Sequence, residues 1–153
     1  MSRTIRIVKK ADYPQWLRLR KMVYSDLTDS FHQQEMKRYD QEPEMVCFLA
    51  WENGYEKPIG FIEVSLRNVV DGCLTDRVGY LEGLYVDPEH RGREIGRSLI
   101  ERANAWFKTQ GCSEVATDAL ADDYQAQAFH LKMGFRETYR IVQFKKELEK
   151  GEQ

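Results

Sequence analysis

The chain predicts a mixed α/β domain: a central, mostly antiparallel sheet with about four helices packed on it. Three observations carry this. Short apolar or alternating blocks of strand length occur at Thr4 to Lys9, Met45 to Glu52, Ile59 to Leu66 and Val78 to Val86. Apolar residues recur at helical spacing elsewhere, most clearly from Glu94 to Gln110, where Ile95, Leu99, Ala103 and Trp106 form one stripe. The blocks interleave in the order β-α-α-β-β-β-α-β-α-β, which places helices on the faces of one sheet.

Each element follows from local residues. Thr4 to Lys9 alternates as a half-buried strand does. Asp12 is a candidate cap for the next helix, Pro14 suits its first turn, and Trp16, Leu19, Val23 and Leu27 mark its apolar side. Asp29 or Ser30 starts a second helix that runs to about Tyr39. The nearly continuous apolar run Met45 to Glu52 reads as a buried central strand. Asn53-Gly54 opens a turn, Ile59 to Leu66 returns as strand, and Asn68 to Arg77 is a polar loop. Pro88 ends the strand Val78 to Val86, and Gly111 stops the long helix after Gln110. Ser113 to Asp118 reads as a short strand, Asp122 to Met133 as a helix stopped by Gly134, and Phe135 to Lys145 as a closing strand.

The 153 residues fit one domain over 1–148 with a short polar tail at 149–153. Hydrophobic residues make up 42% and charged residues 31%, so the chain can bury a core and keep a solvated surface. A net charge of −2 lacks the basic excess expected of a nucleic-acid binder. Cys47, Cys73 and Cys112 are odd in number and show no CxxC spacing, which argues against a disulfide framework and against a zinc site. MSRTIRIVKK has no signal-peptide apolar run, and no stretch reaches the ~18 apolar residues of a membrane span. A reduced, cytoplasmic protein with no metal, membrane or nucleic-acid partner is the expectation.

The segment from Tyr80 to Ala103 carries the chemistry. It is a strand, a sharp stop, a loop with arginines and glycines, and an amphipathic helix. Gly92 and Gly96 allow close backbone approach to a ligand. The first turn of the helix offers unpaired N–H groups at the positive end of its dipole. Together they form an anion site suited to a pyrophosphate, with Arg91, Arg93 and Arg97 nearby. No Gly-Lys-Ser/Thr follows, so it is not a Walker loop, and no Gly-x-Gly-x-x-Gly opens it. Glycine spacing alone fits an ordinary strand–loop–helix connection equally well.

The run Arg91, Gly92, Arg93, Glu94, Ile95, Gly96 resembles the acyl-CoA loop of the GNAT acetyltransferases, Arg/Gln-x-x-Gly-x-Gly/Ala. VDPEHRG before it and AFHLKMGF, Ala128 to Phe135, resemble that family's other signatures, and the likeness covers the whole chain in order and length. It implies acetyl-CoA as donor. Gly83 is then the expected bulge of a strand that splays from its neighbour, the backbone of Leu84, Tyr85 and Val86 lines the pantetheine arm, and Gly92 to Arg97 hold the pyrophosphate. Asp123 and His130 are the expected cofactor contacts from the next helix. Two departures stand out. Glu94 replaces a usual glycine, and His130 replaces a tyrosine that donates a proton to the leaving thiolate. His130 is a candidate acid or a packing residue.

YLEGLYV from Tyr80, SLRNVVDGC from Ser65, TDA from Thr117 and WLRLRKMVY from Trp16 resemble one subgroup, the aminoglycoside 6′-N-acetyltransferases. That resemblance implies a small polycationic amino-sugar acceptor, a resistance role and a homodimer. Glu82 and Asp118 become the candidate catalytic carboxylates. Asp118 is favoured as base and Glu82 as anchor, with the reverse assignment open. By the same resemblance, Tyr24, Val69 and Tyr139 match positions expected to contact the sugar rings. Direct attack of the amine is expected, with a backbone N–H of strand 78–86 on the oxyanion and no cysteine nucleophile, Cys47 and Cys112 lying on core strands. The alternatives are acetylation of another polyamine or a peptide amine, and a non-catalytic acyl-CoA-binding regulatory module.

Overall fold

The computed structural model describes residues 2–151. They fall into two compact units, Met1–Asp118 and Ala119–Gln153, each with its own internal packing. The first holds β1 (Arg3–Ile7), α1 (Tyr13–Val23), α2 (Asp29–Gln41), β2 (Met45–Glu52), β3 (Gly60–Arg67), β4 (Val78–Val86), α3 (Ile95–Thr109) and β5 (Glu114–Ala116). The sheet order is β1-β2-β3-β4-β5. The first three pairings are antiparallel and β4–β5 is parallel, as expected of a mostly antiparallel sheet.

The helix starts differ from the sequence reading in an instructive way. Asp12 stands at the start of α1 but does not cap it. Its carboxylate accepts from Arg6 Nη1 at 2.7 Å and Lys9 N at 2.8 Å, since a cation and a nearer amide compete for the same oxygens. Thr28 caps α2, its hydroxyl accepting from Phe31 N at 3.1 Å, so the helix begins one residue after an extended cap.

β2 and β3 form the middle of the sheet, and Cys47, Phe48, Leu49, Phe61, Ile62 and Val64 are almost wholly buried. Trp16 and Leu19 of α1 and Met36 of α2 join Cys47, Leu49 and Phe61 in one apolar cluster. Leu99, Ile100, Ala103 and Phe107 of α3 are buried as well, where that helix packs on β2, β3 and β4. Burying each large side chain contributes about 1.5–3 kcal/mol, so these two layers hold the strands from which the site is built.

The second unit contains α4 (Tyr124–Lys132). The Asp123 side chain caps it by accepting from Ala126 N at 3.1 Å, and Gly134 follows it at φ 98°. The expected strand at Phe135 to Lys145 is absent: no ladder includes these residues, and Tyr139, Ile141, Val142 and Phe144 are exposed. Alternation supplies a strand's faces, but a strand also needs a neighbour for its backbone groups. Among the described residues of its own unit this segment has no partner strand. Cys112 lies in the turn after α3 and not on a strand, and all three cysteines are free thiols.

Candidate active site

The parallel ladder between β4 and β5 is short, pairing only Val78 with Glu114, Gly79 with Val115 and Tyr80 with Ala116. The Thr117 hydroxyl then donates to the Leu81 carbonyl at 3.1 Å and closes the ladder. From Glu82 to Val86 no ladder pairs β4 with β5. Leu84, Tyr85 and Val86 thus lie beyond the β5 ladder, on a stretch of strand edge that suits an extended amide-bearing chain.

β4 leads through Pro88 to the loop at the start of α3. Gly92 sits at φ 80°, with open space where a side chain would stand. The first amides of α3, at Ile95, Gly96 and Arg97, have no intrahelical acceptors. Arg91 Nε donates to the Val86 carbonyl at 2.9 Å, Arg93 Nη1 to Glu52 Oε2 at 2.9 Å, and Arg97 Nε to Glu94 Oε2 at 2.8 Å. Arg3 adds a bond from Nη2 to the Arg93 carbonyl at 2.8 Å and one from Nη1 to Ser98 Oγ at 3.0 Å. The arginines therefore shape the loop, and the donors it leaves without protein acceptors at the start of α3 are backbone amides. Glu94 stands just before the helix at φ 64°, the left-handed region that a glycine adopts freely. Its carboxylate is held by Arg97.

On the α1 face β4 bulges. Val64 pairs with Leu81 and Glu63 with Gly83, which leaves Glu82 as the extra residue. The bulge thus falls one residue before the expected Gly83. Gly83 has its own reason: a Cβ there would meet the Tyr24 hydroxyl at 2.1 Å. That hydroxyl donates to the Glu82 carbonyl at 3.2 Å. The bulge turns the Glu82 side chain toward Ser65, whose hydroxyl donates to Oε1 at 2.6 Å. Arg67 Nη2 reaches Oε1 at 2.9 Å and Oε2 at 3.0 Å. The same guanidinium stacks 3.4 Å from the centre of the Tyr80 ring. Tyr80 in turn donates its hydroxyl to Asp118 Oδ2 at 2.5 Å. Glu82 and Asp118, the two candidate catalytic carboxylates, are thus joined through Arg67 and Tyr80.

A cavity of about 500 Å³ opens beside this network, lined in part by Tyr24, Glu35, Glu42, Glu44, Ser65 and Glu82. Its floor is a buried ion pair. Arg20 bonds to both Glu63 and Glu35, and Trp16 Nε1 donates to Glu63 Oε2 at 2.9 Å. Burial pushes the Glu63 carboxyl up to about 7, against the opposing pull of Arg20 and the Trp16 N–H. Arg20 Nε also donates to His32 Nδ1 at 3.1 Å. Arginine has only donors, so the His32 proton sits on Nε2 and goes to the Tyr24 carbonyl at 3.1 Å.

Val69, from the 68–77 loop, is 83% exposed and lies outside the bonded network. In the second unit Asp123 serves as the cap of α4. His130 lies edge-on to Phe129 and Phe135, with ring centres 5.8 and 5.7 Å away, which is a packing environment. Tyr139 is 65% exposed. Sequence reasoning missed Ser65, Arg67, Tyr80, Glu63 and Arg20. Ser65 and Arg67 were findable, because they sit at alternate positions of a strand whose neighbour carries Tyr80 and Glu82. Nothing local marks Glu63, whose importance comes from burial against α1.

Residues 16–135 match the model of the acetyltransferase (GNAT) family. An aminoglycoside N(6′)-acetyltransferase type 1 from Acinetobacter genomosp. 13 is 40% identical over 134 residues, which cover 87% of this chain and 90% of that protein. Among solved structures, the unliganded aminoglycoside antibiotic 6′-N-acetyltransferase AAC(6′)-IG from Acinetobacter haemolyticus is 35% identical with a TM-score of 0.89, covering 95% of this chain and 99% of that one. AAC(6′)-Iy in complex with the bisubstrate analogue CoA-S-monomethyl-acetylneamine is 30% identical with a TM-score of 0.90, covering 97% and 100%.

Proposed function

The chain belongs to the GNAT acetyltransferase family, and from that premise we propose that it acetylates the 6′-amine of an aminoglycoside with acetyl-CoA as donor. One observation carries the acceptor side: two carboxylates, Glu82 and Asp118, are brought into one bonded network at the point where β4 leaves β5. A polycation needs fixed carboxylates, and the cavity beside Glu82 adds Glu35, Glu42 and Glu44.

Acetyl-CoA supplies the activated thioester. The strand edge at Leu84, Tyr85 and Val86 suits its pantetheine amides, and the amides from Gly92 to Arg97 suit its pyrophosphate. Glu82 anchors an ammonium of the acceptor. Asp118, held by Tyr80, takes the proton of the attacking amine directly or through water. A backbone N–H of β4 stabilises the oxyanion, so no side-chain nucleophile is required. Cys47 is buried and its thiol is pushed well up by burial, which makes it a poor nucleophile. Asp123 and His130 are proposed to flank the donor, and Tyr24, Val69 and Tyr139 the acceptor.

No helix among the described residues is long and apolar enough to cross a membrane, and the proposed place of action is the cytoplasm, where acetyl-CoA is made. A homodimer is also proposed. The segment after α4 exposes Ile141, Val142, Phe144 and Leu148, a surface that a second copy would cover. Light scattering on the full chain reads this directly, and a monomer at all concentrations would rule it out.

The deciding experiment is release of free thiol from acetyl-CoA against aminoglycosides, spermidine and short peptides at equal concentration. Turnover on aminoglycosides at least about tenfold above the rest is expected. Preference for a peptide or spermidine would move the acceptor class, and donor binding without turnover on any amine would indicate a regulatory module.

A further inference from the structure

We propose that Arg67 is an internal cation that occupies the acceptor's ammonium position on Glu82 and must be displaced for the acceptor to bind. This rests on the acceptor reading above. The Arg67 guanidinium spans both Glu82 oxygens, with Nη2 at 2.9 and 3.0 Å and Nε at 3.3 Å from Oε1. Its carbon lies 3.4 Å from the centre of the Tyr80 ring, whose hydroxyl holds Asp118. One side-chain cation therefore covers the anchor and leans on the partner of the base. That is the place where a substrate ammonium has to sit if Glu82 is to orient it.

The other arginines of the cavity do not compete. Arg20 is buried and committed to Glu63 and Glu35. Arg38 pairs with Glu42 at 3.4 Å. Arg67 is also built to leave. Its side chain is 42% exposed and that of Glu82 27%, so water and salt screen the pair and its net strength is modest. Arg67 is the last residue of β3 and is followed by the 68–77 loop, in which Val69 and Leu74 are exposed. Its side chain can swing outward without disturbing the core. With the site empty, Arg67 neutralises Glu82. With an acceptor bound, one cation replaces another, and the cost of that exchange is paid in acceptor affinity.

The test compares R67Q, R67K and R38Q with the wild-type full chain. Calorimetry gives the Kd of neamine, and steady-state kinetics give kcat and both KM values. The expected result is that R67Q tightens neamine about fivefold in Kd and KM, the worth of a half-exposed ion pair. Its KM for acetyl-CoA should stay within about twofold, which also reports an intact fold. R38Q removes the same charge from the same cavity and should shift neamine by less than about twofold. R67K keeps a cation in place and should remain near wild type. An unchanged or weaker Kd in R67Q, or an equal shift in R38Q, overturns the proposal. So does a fall in kcat that R67K restores, because Arg67 would then position Glu82. Wild-type protein that binds neamine without releasing thiol would defeat the functional reading alone, while the Kd comparison would still decide the role of Arg67.

Discussion

The Tyr80 hydroxyl donates to Asp118 Oδ2 at 2.5 Å, and this bond ties the carboxylate two residues past the end of β5 to the strand that carries Glu82. A carboxylate past a strand end is free to turn unless something holds it, and a base must be aimed before it can accept a proton. Tyr80→Phe should therefore reduce kcat/KM about tenfold, and Asp118→Asn about a hundredfold. The double variant should be no slower than Asp118→Asn alone, because the tyrosine acts only through the carboxylate. Additive losses in that cycle would show that Tyr80 has a separate role.

Gly83 and Tyr24 share one space. Alanine at 83 would place its Cβ 2.1 Å from the Tyr24 hydroxyl and 3.3 Å from Cζ. Gly83→Ala should destabilise the protein by about 1–3 kcal/mol through overpacking. Tyr24→Phe in that background should recover part of the loss, although by itself it costs about 1 kcal/mol for the bond to the Glu82 carbonyl. Denaturant unfolding of the four proteins measures this coupling.

Glu94 occupies a left-handed backbone position at φ 64°. An L residue there costs about 1 kcal/mol relative to glycine. Glu94→Gly should raise the Tm by roughly 2–4 °C. It should also lower the KM for acetyl-CoA, since a carboxylate leaves the neighbourhood of the proposed pyrophosphate site and Arg97 is released. A lower Tm would mean that the Arg97 pair outweighs the backbone strain.

Glu63 makes stability depend on pH. Its carboxyl is raised by burial to about 7, above the ordinary carboxylate value near 4.3. The folded state then keeps this proton to higher pH than the unfolded chain does. Its contribution is fully present below about pH 4, and is lost as pH rises through about 7. Asp12, whose carboxyl the Arg6 hydrogen bond lowers, acts in the opposite sense and only at more acidic pH. The Tm should fall between pH 5 and 8 in the wild type, and the slope should flatten in Glu63→Gln. Equal slopes in the two proteins would place the pH dependence elsewhere.

The strand and helix order through α4 was readable because each element declares itself locally. Met45 to Glu52 is too apolar to be anything but a central strand, and the stripe through Leu99 and Ala103 has one period. The segment after Gly134 was misread because its alternation resembles β4's, while a ladder depends on a neighbour that no local pattern specifies. The bulge was placed one residue late for a related reason. A glycine marks where backbone is unusual, but its cause here is the Tyr24 hydroxyl, more than fifty residues away in the chain.

By itself the sequence placed the loop from Arg91 to Arg97 and the helix behind it, because glycines, a strand end and a helix start are local features, and the likeness to the GNAT loop motif gave that loop its expected role. It also named Glu82 and Asp118, whose residue types suit a cationic acceptor. Only the tertiary structure decided how those carboxylates are used. The bulge at Glu82, the stacking of Arg67 on Tyr80 and the burial of Glu63 beneath α1 each depend on register and packing between distant segments. Such contacts are set by the free energy of the whole fold and leave no signature in any one stretch of chain.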